Sequence, residues 1–430
     1  MAAACGDLVL LFWLMAMSML GMLNSATSSR RPYDRATDLS HRQGVRRLGA
    51  SADVSPSIGG HDEDDDDNAI GAFLVDVEVG TPAVRLQCRI DTAADLTFIA
   101  PDSWSRYKIT SASSSFSKYP CCPAGVFKGL GDPCAAVSTN KSAPGGGCQV
   151  RPFDYNHKRL VYNTYSTLAG ESFAFGQSRW AVSNLPFLLA DDHFDQPAER
   201  DDGSICWVGL GRGNMSLISR LNLTQFSYLF TGPGRNRLIS LPPPFSRPPP
   251  ADGVTVTTPL VNSPYSSNFY YISLKGISVG KTPLDVAEEV FQLNSNGSGG
   301  MIMNSRASFT YLPLTAFDAL CDEVAKQLDL TDGLNKEMDA SGGRVLCLPT
   351  TTMFPNLNLT LHLEGDDANL RILAKNWFYQ DRALGLTCLA IRVSDDGQDH
   401  LEAGKLGSFL QQDMLVTFDL AKEAVSFLSI

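Results

Sequence analysis

The chain has 430 residues, of which 43% are hydrophobic and 19% are charged. A chain of this composition can bury a large core, which excludes disorder throughout. Its length predicts two or three domains, or one large enzyme built from two similar lobes. Asp and Glu number 46 against 35 Lys and Arg, a formal net charge of −11, so nucleic acid is not an expected partner.

The first 70 residues carry two segments that we expect to lie outside the folded body. Residues 8–23 form an apolar run followed by the small residues Asn24, Ser25 and Ala26, which predicts a signal peptide over residues 1–26. An N-terminal membrane anchor is the alternative, because no Lys or Arg precedes Leu8. Residues 27–70 combine six Arg with an acidic run and hardly any large apolar side chains. We expect either a disordered linker or a removable pro-segment there.

The destination that these features predict is the secretory pathway, with an extracellular or cell-wall location and the vacuole as an alternative. No later run is long and apolar enough to cross a bilayer, so no stable membrane span is expected in the mature chain. Nothing in the sequence indicates an oligomer, and a monomer is expected. Five Asn-x-Ser/Thr sequons are compatible with export and glycosylation. They lie at Asn140, Asn214, Asn222, Asn296 and Asn358.

Cysteine usage fits the same compartment. The chain has ten Cys, and nine remain when Cys5 in the predicted signal is set aside. In a secreted chain these predict disulfides with at least one thiol left over. The alternative is a zinc site in the cluster Cys121, Cys122, Cys134 and Cys148. No Cys-x-x-Cys pair is present and the whole chain has 6 His, so we expect no metal.

From residue 72 onward, short apolar or alternating runs broken by Gly, Pro and Asn predict mostly β structure. The runs include AFLVDVEV, VRLQCRI, LTFIA, FAFG, WAV and LPFLLA. Helical spacing of apolar residues predicts a helix over residues 314–328, and a shorter helix is expected after Met215. Residues 241–252 are too rich in Pro for a helix or a central strand. We therefore place the boundary between two lobes there, giving domains 71–245 and 246–430.

The two predicted lobes share one order of features. In each, an apolar strand runs into a polar turn, at Asp91 in the first and Asn304 in the second. A Gly-bearing apolar turn follows later, at Gly209 and Gly407. The spacings are similar, since 209 − 91 = 118 and 407 − 304 = 103. Unless the match is coincidence, it predicts two lobes of one fold that each offer a polar turn to a common cleft.

At these residues the chain resembles the pepsin-like aspartic proteases, in particular their plant nepenthesin-like branch. The matching stretches run in the family's order from about residue 73 to the end. They are FLVDVEVGTP, CRIDTAADLTF, VGLGRGNMSLISRL, QFSYLF, TPLV, FYYISLKGISVG, GSGGMIMNSRASFTYLP and GSFLQQDMLVTFDL. The resemblance implies a bilobal, mainly β fold with a long substrate cleft and a peptidase that needs no cofactor. It also implies a disulfide between Cys347 and Cys388.

Such a peptidase needs two carboxyl groups, because one takes a proton from the attacking water while the other donates one to the carbonyl oxygen. The family's first turn, Asp-Thr-Gly-Ser, falls on Asp91, Thr92, Ala93 and Ala94. The carboxylate is present, and Thr92 matches the residue that ties the two turns together in the family. Ala93 replaces a Gly in a tight turn, and Ala94 lacks a hydroxyl.

The second turn departs further. The plant family's Asp-Ser-Gly-Thr falls on Asn304, Ser305, Arg306 and Ala307. Asn is nearly isosteric with Asp, so we expect the fold to survive, but its amide is not a proton-donating acid. Arg306 replaces Gly and adds bulk and a permanent positive charge. The catalytic pair is therefore predicted to be degenerate, with Asp91 as its one acid.

The hairpin that covers the substrate in the family also differs. Its Tyr-Gly-Asp-Gly-like tip falls on residues 153–159, FDYNHKR, which lack the glycines. Tyr155 is the candidate flap tyrosine, and Tyr162 and Tyr165 are alternatives. A tip without Gly is expected to be stiffer and differently shaped.

Two classes of function follow from these residues. The first is a catalytically impaired homologue that binds a peptide or protein in its cleft, or that inhibits cell-wall-degrading enzymes, as xylanase inhibitors of this fold do. The second is an active acid endopeptidase that relies on Asp91. The missing second carboxyl group favours the first class.

Overall fold

The structure is a computed structural model, and all its described residues lie within one compact unit, residues 61–430. The described residues are 73–99, 113–119, 137–142, 148–154, 159–160, 166–175, 180–190, 206–231, 238–240, 253–263, 268–330, 336–338, 344–349, 357–381, 385–394 and 403–430. The predicted signal, the predicted pro-segment, the Pro-rich segment 241–252 and the flap candidate Tyr155 lie outside them.

The first part of the chain forms one ten-stranded sheet in the order β1-β2-β10-β3-β9-β8-β6-β5, with β4 paired to β8 and β7 to β6. Its strands are β1 Leu74–Val79, β2 Val84–Asp91, β3 Thr97–Ile99, β4 Ser117–Lys118, β5 Val137–Ser142, β6 Cys148–Asp154, β7 Arg159–Leu160, β8 Ser166–Phe175, β9 Trp180–Ala190 and β10 Cys206–Gly209. The short helix α1 follows at Leu217–Arg220, with Ser216 as its N-cap. It begins close to the position predicted after Met215.

The remaining strands are short and continue to the end of the chain. They are β11 Gln225–Phe230, β12 Leu238–Ser240, β13 Thr255–Val261, β14 Tyr271–Ile272, β15 Leu274–Val279, β16 Thr282–Pro283, β17 Met301–Met303, β18 Thr310–Leu312, β19 Lys336–Met338, β20 Arg344–Pro349, β21 Leu359–Leu363, β22 Asn369–Ile372, β23 Phe378–Asp381, β24 Leu386–Leu389, β25 Ile391–Val393, β26 Gly404–Leu406, β27 Met414–Asp419 and β28 Ala424–Ser429. Helix α2 spans Leu314–Gln327, one residue shorter than predicted.

These strands form a second ten-stranded sheet, β12-β11-β27-β28-β13-β14-β17-β26-β18-β25, and two four-stranded sheets, β16-β15-β21-β22 and β19-β20-β24-β23. The boundary near residue 245 stays a prediction, but one sheet contains strands from both sides of it. Strand β11 pairs antiparallel with β27, with Phe226 opposite Phe418, although β11 precedes that boundary. The two rings stack with their centroids 4.6 Å apart. The first segment therefore supplies two strands to the sheet of the second.

The duplication predicted from the sequence appears in the strand pairing. In the first part β10 runs parallel to β2 and antiparallel to β3. In the second part β26 runs parallel to β17 and antiparallel to β18. The glycine turns match too, because the amide of Gly209 donates to Thr97 Oγ1 at 3.3 Å and that of Gly407 to Thr310 Oγ1 at 3.0 Å. Both turns need Gly.

A side chain would not fit at either glycine. A Cβ at Gly209 would lie 2.2 Å from the carbonyl oxygen of Asp95, and one at Gly407 would lie 2.1 Å from that of Phe309. The close approach of two backbones thus explains the glycines. The same close approach places Gly209 against the backbone of Asp95, just after the first polar turn, and Gly407 against that of Phe309, just after the second.

The core contains buried side chains from both parts of the chain. Helix α2 contributes Phe317, Leu320 and Val324, which are all fully buried, whereas Leu328, the fourth apolar residue at the predicted helical spacing, follows the helix and is partly buried. Trp377 and Tyr228 are among the largest fully buried side chains. In the described residues no helix is long and apolar enough to span a membrane.

Candidate functional site

Asp91 lies at the end of β2, where the strand passes into the first polar turn, and is 3% exposed. Its Oδ1 accepts a hydrogen bond from the amide of Ala93 at 2.9 Å. Its carbonyl oxygen accepts one at 2.8 Å from the amide of Leu210, the residue that follows β10. The turn and the parallel pairing with β10 therefore fix the orientation of the Asp91 carboxylate.

Asn304 takes the corresponding place after β17. Its amide donates to the carbonyl of Leu406 at 3.1 Å, on the strand paired with β17. Its Oδ1 accepts hydrogen bonds from the amides of Arg306, at 3.1 Å, and Ala307, at 2.9 Å. Asn304 thus caps its own turn through the oxygen that an Asp would also present. Its amide group carries no titratable proton near neutral pH.

The two turns are interlocked by Thr92 and Ser305, both buried. The amide of Thr92 donates to Ser305 Oγ at 3.1 Å, and the amide of Ser305 donates to Thr92 Oγ1 at 3.0 Å. Each hydroxyl then donates onward to a strand carbonyl, Thr92 to Met303 at 2.8 Å and Ser305 to Ile90 at 2.8 Å. The structure therefore brings the two sequence-predicted turns together.

Arg306 reaches from the second turn to the carboxylate of the first. Its Nε lies 2.7 Å from Asp91 Oδ2. The centre of its guanidinium is 4.9 Å from the ring centroid of Trp207 in β10, and Trp207 stacks on Phe98 with centroids 4.1 Å apart. The side chain of Arg306 is 40% exposed, whereas that of Asp91 is 4% exposed. In the described residues no second carboxyl group is hydrogen-bonded to Asp91.

Arg89 forms hydrogen bonds to the second polar turn and the residue that follows it. It lies two residues before Asp91 in β2, so both side chains leave the strand on one face. Its Nη1 donates to the carbonyl of Arg306 at 2.8 Å and its Nη2 to Ser308 Oγ at 3.4 Å. The sequence interpretation did not select Arg89 or Trp207. The strand also carries Arg85 and Gln87, so no signal in the sequence distinguished Arg89.

Asp95 is a second acid close to the first polar turn, but its carboxyl group points towards Gly213. Its Oδ1 accepts the amide of Gly213 at 2.9 Å. Burial raises the pKa of Asp95 from 3.8 to about 7; the Gly213 hydrogen bond works against this shift and the charge on Asp91 adds to it. A Cβ at Gly213 would lie 1.6 Å from Asp95 Oδ2. Asp95 thus fills the space beside Gly213.

The other predicted sites have mixed outcomes. The Cys347–Cys388 disulfide is present, and a second one joins Cys88 to Cys206. Cys321 is a buried cysteine of α2 without a disulfide bond. In the described residues no group of three metal-ligating side chains occurs, and side chains of the cluster around Cys121 lie outside them.

The remaining predicted residues are sequon asparagines and flap tyrosines. Asn214, Asn222 and Asn296 are exposed, and Asn358 is partly buried. The side chain of Asn140, and Tyr155 with its alternatives Tyr162 and Tyr165, lie outside the described residues. Glycosylation and the flap role stay predictions.

Comparison with known proteins fits this geometry. A family profile described as "Xylanase inhibitor N-terminal" matches residues 73–238, and one described as "Xylanase inhibitor C-terminal" matches residues 269–429. Aspartic proteinase nepenthesin-1 of Nepenthes gracilis is 31% identical over 375 residues, which cover 84% of this chain and 78% of that protein. The chain belongs to the plant nepenthesin-like branch of the pepsin-like aspartic protease family. Nepenthesin-2 of the same plant is 29% identical over 83% of this chain and 77% of its own length.

Solved structures show the same fold. The crystal structure of edgp superposes with a TM-score of 0.61 at 18% identity, covering 82% of this chain and 90% of that one. Basic 7S globulin from soybean gives a TM-score of 0.60 at 16% identity, covering 82% and 92%. The predicted mainly β, bilobal pepsin-like fold, with a cleft between two similar lobes, is therefore confirmed.

Proposed function

We propose that this protein is a catalytically impaired pepsin-like aspartic protease homologue that binds a peptide or protein in its cleft. The observation that carries the proposal is the ion pair between Arg306 and Asp91. A pepsin-like site places a second carboxyl group beside the first, so that one proton is shared between them. Here a guanidinium occupies that neighbourhood, and the equivalent turn residue is the amide Asn304.

The chemical consequence concerns both proton transfers. Asp91 Oδ2, an acceptor for a proton of the attacking water, instead accepts from Arg306 Nε at 2.7 Å. Asn304 has no acid proton to give to the peptide carbonyl, and an arginine does not release one in the working range of pH. Loss of general acid catalysis lowers a rate about 10²- to 10⁴-fold, and the loss is larger where two groups act as one unit.

The intact interlock between Thr92 and Ser305 supports a preserved binding cleft. Both turns keep their hydrogen bonds although their chemistry has changed. The two disulfides support the expectation that the protein matures in the secretory pathway. Its localisation there, its monomeric state and its glycosylation are parts of this proposal.

A restoration experiment tests the proposal. The double variant Asn304→Asp, Arg306→Gly rebuilds the family's second acid and removes the competing cation. We expect it to cleave unfolded protein substrates at about pH 3 to 6 at least 100-fold faster than the unaltered chain. Adding Asp91→Ala to the double variant is the control and abolishes the gain. If the double variant folds and gains nothing, the two substitutions are not what limits activity.

A second candidate function is inhibition of a cell-wall-degrading glycosidase. The match to two profiles described as xylanase inhibitor halves supports it. Such inhibition uses a protein surface and not proton transfer, so Asp91→Ala leaves it unchanged. Stoichiometric inhibition of a microbial xylanase by both the unaltered and the Asp91→Ala protein favours this function. An active acid endopeptidase, which the identity to nepenthesin-1 supports, predicts Asp91-dependent cleavage instead.

A further inference from the structure

One face of the four-stranded sheet β16-β15-β21-β22 carries a hydrogen-bonded chain of three side chains. Ser278 Oγ lies 2.7 Å from His362 Nε2, and His362 Nδ1 lies 2.6 Å from Asn369 Oδ1. An amide oxygen only accepts hydrogen bonds, so the second contact places the proton of a neutral ring on Nδ1. Nε2 then accepts the hydroxyl proton of Ser278. This is the order of a nucleophile, its general base and the group that orients the base.

The strand register brings the three side chains to the same face of the sheet. His362 in β21 is opposite Gly276 in β15 and opposite Asn369 in β22. Ser278 lies two residues after Gly276, so its side chain leaves β15 on that face. The residues that alternate with them are buried in the core on the other face, and they are Ile277, Leu361 and Leu370. The chain of hydrogen bonds therefore lies on the side of the sheet that faces away from the core.

A small reactant can approach this chain beside Gly276. A Cβ added to Gly276 would have one atom within 4 Å, His362 Cδ2 at 3.8 Å, so the face is open next to the imidazole ring. Ser278 is 8% exposed, His362 is partly buried and Asn369 is exposed. An opening that a missing side chain creates fits a short acyl group and not a bulky one.

Thr360 and Arg371 form the next row of the same face. Thr360 is opposite Ser278 in β15 and opposite Arg371 in β22. Neighbouring strands lie about 4.8 Å apart, so the side chain of the exposed Arg371 is long enough to extend past Thr360 towards Ser278. A cation at that position stabilises the oxyanion that forms when a hydroxyl attacks an ester carbonyl.

We propose that Ser278, His362 and Asn369 form a second reactive site, which hydrolyses small activated carboxylic esters. Ser278 Oγ attacks the carbonyl carbon while its proton passes to His362 Nε2. The ring returns this proton to the leaving oxygen as the ester C–O bond breaks, and the acyl group stays on Oγ. Water then attacks the acyl carbon and gives a proton to Nε2. The bond from Oγ to the acyl carbon breaks, Oγ regains the proton and the carboxylic acid leaves.

The test treats the purified, unaltered protein with an alkyl fluorophosphonate at pH 8. The probe forms an O–P bond with an activated serine and loses fluoride, while the hydroxyl proton goes to the base. Mass spectrometry of the digested protein locates and counts the label. General base catalysis contributes about 10²- to 10⁴-fold, so we expect Ser278 to be labelled at least 10-fold faster than Ser426 in the same molecule.

Ser426 is the matched internal control for this comparison. It is also a strand serine, but its Oγ is hydrogen-bonded at 2.8 Å to Thr257 Oγ1 and not to a histidine. Ser426 is partly buried, whereas Ser278 is buried, so exposure alone would favour labelling of Ser426. Faster labelling of Ser278 therefore reports activation of its hydroxyl.

Variants assign the reactivity to the hydrogen-bonded chain. His362→Gln removes the base and should lower the labelling rate of Ser278 about 100-fold. Asn369 is a positioning residue, so Asn369→Ala should lower the rate and Asn369→Asp, which keeps an oxygen for Nδ1, should restore it. Ser278→Ala should hydrolyse p-nitrophenyl acetate at least 10-fold more slowly than the unaltered protein. Arg371→Gln should also slow this hydrolysis, because it removes the cation.

The outcomes decide the inference without reference to the proposed function. Labelling of Ser278 no faster than that of Ser426 overturns the reactive site, and this comparison stands even if a variant does not fold. Equal labelling of Ser278 in the unaltered and His362→Gln proteins overturns it as well. The site lies in a different sheet from Asp91 and shares no residue with the two polar turns. Cleavage of protein substrates therefore tests the proposed function alone.

Discussion

Thr92 and Ser305, 213 positions apart in the sequence, each donate a backbone amide to the other's hydroxyl, at 3.1 and 3.0 Å. Neither bond uses a catalytic acid. Because each hydroxyl also donates to a strand carbonyl, four backbone groups near the two turns depend on these two side chains. The interlock therefore keeps the halves of the site in register even though Asn304 replaces the second acid.

Replacing Thr92 tests the stability that this interlock provides. Thr92→Val keeps the shape of the side chain but leaves the buried Ser305 amide and Met303 carbonyl without their partner. We expect the free energy of unfolding, measured in urea, to fall by about 2–3 kcal/mol. Thr257→Val is the control, because the exposed Thr257 hydroxyl contacts Ser426 alone, and its effect should stay within about 0.5 kcal/mol. Equal effects of the two variants would contradict the interlock's role.

The glycine turns give a second stability test. Gly407→Ala places a Cβ 2.1 Å from the carbonyl oxygen of Phe309, so the backbone has to shift. We expect a loss of at least about 2 kcal/mol in thermal or urea unfolding. At Gly276, by contrast, the nearest atom to an added Cβ is His362 Cδ2 at 3.8 Å. Gly276→Ala should cost less than about 1 kcal/mol, and a larger loss there than at Gly407 would contradict this reasoning.

Asp95 makes stability depend on pH. Its pKa is raised from 3.8 to about 7 by burial, so the folded protein favours the protonated carboxyl. The stabilisation is fully present below pH 3.8 and is lost as the pH rises through about 7. Asp95→Asn, which keeps an oxygen for the Gly213 amide, should raise stability at pH 8 by roughly 2–4 kcal/mol and change little at pH 4.

The control for this pH effect is an acid with the opposite shift. Lys422 lowers the pKa of Asp419 through a side-chain hydrogen bond. Asp419→Asn should therefore bring no gain in the free energy of unfolding at pH 8. If Asp95→Asn and unaltered protein show parallel stability curves from pH 4 to 8, Asp95 does not titrate in this range.

Local sequence patterns predicted the elements well where the structure depends on neighbours in the chain. Helix α2 was predicted to end at Leu328 and ends at Gln327. The prediction came this close because Phe317, Leu320 and Val324 follow the helical period and form one buried face. The predicted runs WAV and LPFLLA are one strand, β9. Asn184 between them has a φ of 55°, a conformation Asn tolerates, so the strand passes through an apparent break.

The sequence and the family resemblance indicated that the two polar turns meet, but they did not reveal which other distant side chains and strands are in contact. Both polar turns could be located by their residues, and the missing acid at Asn304 was visible. The direction of the Arg306 side chain was not, because it depends on Trp207 and Asp91, which β10 and β2 bring together from positions 116 apart. Likewise, no local pattern indicates that β11 pairs with β27 across the predicted lobe boundary. Sheet partners are set by tertiary packing and not by strand propensity.

The most direct measurement of the central claim is peptide-bond cleavage by the purified, unaltered protein between about pH 3 and 6. Unfolded protein substrates are incubated with it and with an Asp91→Ala variant, and new peptide termini are counted by mass spectrometry. We predict that both proteins cleave peptide bonds only at the background rate, because Asn304 supplies no acid and the Asp91 carboxylate is paired with the guanidinium of Arg306. Efficient cleavage by the unaltered protein that disappears in the Asp91→Ala variant would contradict the account.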